Sequence, residues 1–594
     1  MIKLSDIDGP FVLLDDARAS GAAAARLFRQ PIAVRAVRHA RDMAAFMGWL
    51  GEQSRDDALL AGFLSYEAGA CLEPALSFPD PDPQSPPLAW FGHFSAMERI
   101  APDDVPSFLP NPEGAWAMAA EPHIDRATYD DAIERVLAYI QAGDIYQANL
   151  TFQASVRFGG HPLALYARLR QRQQAGYGGI VWTGEHWLLS FSPELFFSQR
   201  GPSIMARPMK GTALRDPDPL RDAANAAALV EDPKQRAENL MIVDLIRNDL
   251  SRIAEAGSVT VPELFHVEHY PTVHQMVSSV HATLAPGKNA VDIITQAFPC
   301  GSITGAPKIR AMEIIAETER EPRGVYTGSI GYIAGQEEAA FNVAIRTLVI
   351  AQGTRAAPAN RALLGLGSGI VADSVAGAEW NECLAKGRFV ESVGAFDLIE
   401  TMGFDPEEGI ARLEKHLERM KASASELGFS FDRHGARNEL QAATFRLREP
   451  AKIRMMLSRK GSIAIAVTPL PAPADAPVKV ALVPLPVDPS DWRLRHKATD
   501  RAFYDDARKA AGTFEVAFTA PDGTLTEGSF TSLFVERGGK LLTPPLATGL
   551  LPGILRAALL EEGKAEEASL TADDLKDGFF IGNSLRGLIP ATLA

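Results

Sequence analysis

The sequence predicts an α+β body built on large antiparallel or mixed sheets with flanking helices, followed by a second, smaller α/β domain. Three observations predict it. At 594 residues the chain is too long for one core, so it divides. From about residue 120 to about 390, apolar strand-like runs alternate with long helical periodicities. Near residue 390 the texture changes to an amphipathic helix and then a set of short strands. The boundary is expected within 388–396, giving domains 1–390 and 396–594.

Taken in order, residues 1–110 mix short apolar runs ("GPFVLLDD", "AGFLSYEAG") with "FPDPDPQSPP". That proline-rich stretch can hold neither a helix nor a ladder and reads as a loop. Strands are expected in "HWLLSFSPELFF", "GVYTGSIGYI" and "AAFNVAIRTLVIA". The helical stretch "ENLMIVDLIRNDLSRI", opened by Glu238, puts Leu240, Val243, Ile246, Leu250 and Ile253 on one apolar face. In the second half, "RLEKHLERMKASASELGF" is an amphipathic helix through Leu413, Leu417, Met420, Ala424 and Leu427. A strand at "VKVALVPLPV" and a hairpin turning at Pro521-Asp522-Gly523 follow.

Composition excludes several classes. A net charge of −15 without a long basic run argues against nucleic acid as a partner. No run of 18 apolar residues is present, so no membrane span is expected. Three cysteines, Cys71, Cys300 and Cys383, have no metal-binding spacing and an odd count, which suits a reducing cytoplasm.

Chemistry concentrates in a few stretches. In "ARPMKGTALR", Lys210 stands near Arg207 and Arg215, a crowding of cations that is costly unless an anion binds there. In "SVAGAEWNECLAKGRF", Glu379, Glu382 and Lys386 fall on one helix face. With Glu238 from a second helix, these carboxylates suit Mg²⁺, although alone they read first as a solvated Glu–Lys face. "LLGLGSGIVAD" supplies Gly365, Gly367 and Gly369, a glycine turn whose N–H groups can approach an anion. Lys308 and Arg310 enter the first turns of a helix, where the dipole disfavours cations, and so point to a nearby anion. His274 reads equally as a core histidine.

Together "GDIYQANLT", "FSPELFF", "PMKGTALR", "AENLMIVDLIRNDLSRI", "VHQMVSSV", "FPCGSITGAPK", "AFNVAIRT" and "GSGIVADSVAGAEWNEC" resemble, in order and spacing, the chorismate-utilising enzymes. The resemblance is dense over 120–390 and loose over 1–110. It implies that Glu238 and Glu382 ligate Mg²⁺ against the ring carboxylate of chorismate, with Glu379 behind them. It further implies Arg346 and Lys386 as carboxylate partners, with Gly367, Ser368, Gly369 and Thr304 also binding substrate. Glu194 resembles the general acid for the C4 hydroxyl, and His274 the histidine beside the ring. A lysine at position 210, where most of the family carries alanine, is characteristic of the branch that aminates chorismate at C4. Its amine is implied to attack C2, with neighbouring cations lowering its pKa, before ammonia enters at C4. Gln147 stands where the water-adding branch has lysine, which fits ammonia as nucleophile. No cysteine sits in a Gly-x-Cys-x-Gly elbow, so ammonia must come from solution or a partner glutaminase.

From 396 to 594, "HLERMKASA", "RLRHKATDRAFYDDARK", "GTLTEGSFTSLF" and "TGLLPGILRAALL" resemble fold-type IV pyridoxal-phosphate enzymes of the aminodeoxychorismate lyase and branched-chain aminotransferase family. This implies Lys497 as Schiff-base lysine and Glu527 as partner of the pyridine nitrogen. Arg419, the backbone of Ile554 and Leu555, and the Ser584 hydroxyl would hold the phosphate. Ser532 replaces a usual asparagine and Leu555 a usual threonine. The pair of halves is expected to convert chorismate and ammonia to 4-amino-4-deoxychorismate, then to p-aminobenzoate and pyruvate for folate synthesis. A homodimer through the second half is also expected. Two alternatives stay open: an anthranilate-synthase-like half joined to an amino-acid aminotransferase, and a second half that only docks or dimerises.

Overall fold

The computed structural model describes residues 3–55, 58–73, 76, 78, 80–269, 273–353, 360–391, 396–475, 477–489 and 491–594. The chain divides into two compact units, Met1–Pro112 with Ala117–Ser392, and Glu113–Trp116 with Val393–Ala594. Residues 392–395 of the expected boundary, and Pro79 of the proline-rich loop, lie outside the described residues.

In the first unit nineteen strands among the described residues join one hydrogen-bonded sheet system, and every described register in it is antiparallel. Residues 1–110 are woven into it. Phe11–Asp15 pairs with Gly178–Trp182, and Leu59–Leu64 pairs with Ser329–Ala334. Gly62 and Gly331 face each other in that last pair. A Cβ on Gly62 would stand 2.0 Å from the Trp90 carbonyl oxygen, so the bare glycine is what lets these backbones close over Val12, Phe28, Phe63 and Tyr332.

The longest register relevant to function pairs Gln147–Gly159 with Arg361–Ile370, from Arg361 opposite Arg157 to Ile370 opposite Ala148. Buried Arg323, 3% exposed, fastens it. Its guanidinium donates to Glu319 and to the carbonyls of Asn149 and Ile303, and lies 4.4 Å from the Tyr66 ring. Glu67 accepts from the Arg323 N–H.

Local signals explain the helix ends. Arg126–Ala142 begins where the Asp125 carboxylate accepts from the Thr128 N–H and ends at Gly143, with φ 83°. Pro233–Ser251 is capped by Asp232, which accepts from Lys234 and Gln235. Glu238 therefore lies in its second turn and does not open it. The buried face runs through Asn239, Ile242, Val243, Ile246 and Leu250, while Leu240 is 44% exposed. The apolar periodicity holds except at Leu240, and polar Asn239 and Asp249 share the buried face because they find partners inside.

Among its described residues the second unit carries a four-stranded antiparallel sheet and a seven-stranded mixed sheet. Helix Leu413–Leu427 buries Leu417, Met420, Ala424 and Leu427 as its periodicity requires, and also His416 and Arg419. The turn at Ala520–Thr524 forms, with the Ala520 N–H donating to Thr524 and the Gly523 N–H to Ala520. Its second arm is not a long hairpin strand. Glu515–Thr519 pairs in parallel with Val478–Pro484, and Ser532–Arg537 leaves to pair with Phe579–Asn583.

Gly62→Ala is expected to destabilise the first unit by about 1–3 kcal/mol through overpacking. Gly51→Ala, in the helix Met43–Arg55 with nothing near its would-be Cβ, should be neutral or stabilising by up to about 1 kcal/mol. Urea midpoints of the two variants compare them; equal midpoints would refute the packing argument.

Candidate active sites

Lys210 belongs to the strand Met209–Leu214, which pairs with Val273–Thr283 through an irregular register. Met209 opposes Val277 and Thr212 opposes Gln275, so one extra residue bulges between them. Gly211 takes φ +99°, a left-handed conformation that glycine adopts without strain. Asn239 donates to the Lys210 carbonyl and Gln275 to the Gly211 carbonyl, holding the bulge. The bulge aims the lysine at the facing strand, where its Nζ lies 3.4 Å from the Cβ position of Gly369.

Burial lowers the pKa of Lys210, Lys386 lowers it further, and Glu194, Glu238 and Glu382 oppose both. The expected roles of Arg207 and Arg215 are corrected here. Arg207 pairs with Glu268 and Arg215 with Asp222, so their charge is spent elsewhere. Lys308 and Arg310 are likewise engaged, with Asp249 and with Asp144 and Glu313. They mark internal ion pairs where an external anion had been expected.

Glu194 is 4% exposed and receives a 2.6 Å hydrogen bond from Ser302. Burial raises its pKa, against the pull of Ser302 and Lys210. Gln147 is fully buried, and neither its Oε1 nor its Nε2 has a hydrogen-bond partner. Its Nε2 lies 2.9 Å from the same Gly369 Cβ position. A buried amide left wholly unsatisfied is costly, and here it sits where lysine and glycine converge.

The glycines are not a turn. Gly367 and Gly369 lie inside the strand Arg361–Ile370, opposite Thr151 and Asn149. The N–H groups of Thr151 and Asn149 turn away, to Glu319 and the Thr304 carbonyl, which makes these non-hydrogen-bonded pairs. The backbone polar groups of Gly367 and Gly369 therefore face the other edge, where Lys386 donates to the Gly367 carbonyl. Ser368 alternates to the opposite face and its hydroxyl meets Tyr129 at 3.3 Å.

Glu382 is more than half exposed and pairs with Lys386 at 2.8 Å. Burial tends to raise its pKa, but Lys386, with help from Lys210, holds it below the usual carboxylate range. Burial raises the pKa of Glu238, with Lys210 opposing. Glu379 accepts from Ser374. Among the described residues no group of three or more His, Cys, Asp and Glu is ready to enclose a metal. Two carboxylates, Glu238 and Glu382, within electrostatic reach of one lysine suit an ion that takes most of its shell from water and substrate.

Three other expected residues have partners within the protein. Arg346, at φ 49°, reaches the Gln173 side chain. His274 is 1% exposed and lies between His269 and Asp222, at 2.7 and 2.8 Å. The Thr304 hydroxyl donates to the Cys300 carbonyl.

In the second unit a cavity of about 720 Å³ gathers Lys497, Glu527, Arg419, Ser584, Ile554 and Leu555. Lys497 follows the short helix Trp492–Arg495 rather than ending a strand, and its carbonyl accepts from the Ile399 N–H. Burial, then Arg419, lowers its amine to about 7. Burial pushes Glu527 up to about 7 while Arg501 pulls it down, and its Oε1 accepts from Tyr504 and the Leu551 N–H. Arg419 makes a buried two-pronged pair with Glu400 and donates to the Pro552 carbonyl, using three of its five N–H groups. The Ser584 hydroxyl bonds the His416 Nε2, whose ring partner on the other side is Glu400. Helix Ile554–Glu561 starts at Gly553 without a side-chain cap, leaving its first N–H groups for an anion. A Cβ on Gly553 would stand 2.5 Å from the Ser532 oxygen. These residues fit a phosphorylated, pyridine-bearing group.

Sequence reasoning missed Glu515, Tyr504 and Glu400. Fully buried Glu515 accepts from Ser529, Phe530 and Thr531 and so shapes the loop behind Glu527. A buried carboxylate leaves no periodic or motif signal.

Residues 15–392 match the model of the chorismate binding enzyme family, and residues 397–594 that of amino-transferase class IV. Aminodeoxychorismate synthase component 1 of Klebsiella aerogenes is 43% identical over 264 residues, 44% of this chain and 57% of its own length. Anthranilate synthase component 1 of Thermus thermophilus is 39% identical over 309 residues, 52% of this chain and 64% of its own length. The chain thus matches about three fifths of the length of these relatives. The crystal structure of anthranilate synthase component I from Streptococcus pneumoniae matches with a TM-score of 0.54 at 25% identity, covering 63% of this chain and 93% of that one. The chain belongs to the chorismate binding enzyme family and carries an amino-transferase class IV domain behind it.

Proposed function

We propose that the first unit aminates chorismate to 4-amino-4-deoxychorismate and that the second eliminates pyruvate from it to give p-aminobenzoate, a precursor for folate. The observation that carries the reading is Lys210, aimed by its bulge at Gly369 beside the unsatisfied Gln147 amide and the buried Glu194. Relatives named aminodeoxychorismate synthase component 1 support it.

Glu194, whose pKa burial raises, acts as the acid that donates to the C4 hydroxyl so that it leaves as water. Lys210, whose pKa burial lowers, forms a bond from Nζ to C2 as the two ring double bonds shift toward C4 and C4–O breaks. Ammonia then bonds to C4, the C2–Nζ bond breaks, and the surplus proton returns to the Glu194 carboxylate. The buried Gln147 amide offers ammonia both an acceptor and a donor. Glu238 and Glu382 would hold Mg²⁺, whose role is to fix the substrate carboxylate, with Glu379 behind them and Lys386 beside them. Arg346 and the Gly367–Gly369 backbone edge are proposed to meet the remaining carboxylate oxygens. Ammonia is proposed to arrive from a partner glutaminase.

In the second unit Arg419, the Ile554 and Leu555 N–H groups and Ser584 would hold the phosphate of pyridoxal 5′-phosphate. Bound there, the cofactor supplies an electron sink beside the amine carbon. Glu527 would partner the pyridine nitrogen, whose N–H would give the carboxylate a cationic partner. Lys497 takes the proton from substrate C4 while the C3–O bond breaks, releasing enolpyruvate that becomes pyruvate as the ring turns aromatic. Retained Lys497 and Glu527 favour this over a docking-only module.

Chorismate, Mg²⁺ and an ammonium salt should yield the para aminobenzoate isomer; the ortho isomer would sink the reading. Lys210→Ala should stop chorismate consumption yet still convert supplied aminodeoxychorismate, whereas Lys497→Ala should consume chorismate and accumulate aminodeoxychorismate. Each loss should be at least about 10²-fold, and mixing the two variants should restore p-aminobenzoate. Gly369→Ala, by placing a methyl against Gln147 and Lys210, should cut the first step about 100-fold while leaving the second. Parent-like chorismate turnover in that variant would remove Gly369 from the site.

A pH dependence follows from Lys497, since an amine captures an aldehyde only as free base. With a folded value of about 7, capture of pyridoxal phosphate by the cofactor-free chain should rise through neutral pH and level off above it. An ordinary lysine, near about 10.4, would keep gaining about tenfold per pH unit well past that point. Stopped-flow absorbance, with Lys497→Ala as control, measures the midpoint.

A further inference from the structure

We propose that the cavity of the second unit is built for an amine carrying two carboxylates, and that Arg501 and Arg508 are the residues that read them. The proposal rests on that cavity being the pyridoxal phosphate site, and it concerns what lies beyond the cofactor.

Charge is the first observation. Besides Lys497 and Arg419, the cavity is lined by Lys452, Arg454, Arg501, Arg508 and Arg586, whereas its acidic lining is Asp505 and Glu527. This concentration stands out in a chain of net charge −15. Arg419 adds no excess, because Glu400 is matched to it in a buried pair. Of the other five cations Arg508 has Asp505 beside it at 3.4 Å, an exposed pair that offsets one charge, and a phosphate of about two negative charges offsets two more. About two positive charges remain, enough for a dianion rather than for the single carboxylate of an ordinary amino acid.

Unspent hydrogen-bonding capacity is the second. Arg501 Nη1 and Arg508 Nε are buried and without a hydrogen-bond partner. Such donors are expensive to leave unmade, so a ligand that accepts from them gains twice, in charge and in satisfied geometry.

The third is preorganisation. Arg501 caps the helix Ala502–Ala511 and Arg508 lies seven residues on, two turns along the same face. Each guanidinium lies over a ring, Arg501 at 4.4 Å from the Tyr504 centroid and Arg508 at 5.6 Å from that of Phe530. Rings beneath planar cations restrict them, so less freedom is lost when a carboxylate docks. Tyr504 is itself fixed by its hydrogen bond to Glu527, which ties the carboxylate-reading face to the cofactor-holding one. A site evolved only for small monocarboxylate amines has no use for the second arginine.

The test uses the full chain loaded with pyridoxal phosphate. Isophthalate, an aromatic dicarboxylate without an amine, and benzoate are titrated while the cofactor's absorbance is followed, which reports this cavity and not the first unit. The parent is expected to prefer isophthalate by at least about tenfold. Arg501→Gln and Arg508→Gln should each reduce that preference by about tenfold, and Arg508→Lys should restore part of it. With aminodeoxychorismate as substrate, the same variants should raise KM far more than they lower kcat. If the variants keep the parent's isophthalate preference while p-aminobenzoate still forms, the arginine proposal fails and the lyase reading stands. If the parent takes up no pyridoxal phosphate, the reading beneath the proposal fails instead.

Discussion

Burial of a primary amine organises both halves of this protein. A lysine ammonium is strongly hydrated, so each unit that encloses one must either match its charge or let the amine become neutral. Lys210 is matched only in part, by Glu194, Glu238 and Glu382, with Lys386 pushing the other way. Lys497 is brought to about 7 by burial and by Arg419, whose own charge is committed to Glu400. Burial pushes Glu194 in one half and Glu527 in the other above the usual carboxylate range, and an acid held there can move a proton near neutral pH.

Different local devices produce the same result. In the first unit a one-residue bulge with a left-handed glycine turns Lys210 out of the strand's regular alternation, and Asn239 and Gln275 keep it turned. In the second, a short helix delivers Lys497 to a bridge with Ile399, above a layer made by Glu400, His416 and Arg419. Arg323 performs the anchoring task in the first unit that Glu515 performs in the second. Each is a buried side chain whose hydrogen bonds hold several loops at once.

The departures at Ser532 and Leu555 bear on the phosphate end of the second site. Ser532 sits against Gly553, at the start of the helix whose N–H groups face the cavity, and Leu555 offers that cavity its backbone. A phosphate held by helix N–H groups needs no particular side chain at either position. The loss of a threonine hydroxyl is therefore compatible with the rest of the site.

The sequence by itself determined the two-part division, the antiparallel-sheet and helix character of each part, and the ordered motifs that name the family. Those features are local or periodic, and a chain carries them without folding. It also marked Lys210, Glu194, Gln147, Lys497 and Glu527, since each lies within a motif. Only tertiary structure decided which charges were already spent. Arg207, Arg215, Lys308 and Arg310 looked like an anion site in sequence and are ion pairs in space. The glycine "turn" is a strand because its partner, Gln147–Gly159, lies more than two hundred residues earlier, and sequence separation of that size leaves no local trace. The same reason hid Arg501 and Arg508. A pair of arginines on an amphipathic helix reads as solvated surface until Tyr504, Phe530 and the cavity wall close around them, because the meaning of a charge depends on which other charges and how much water it meets.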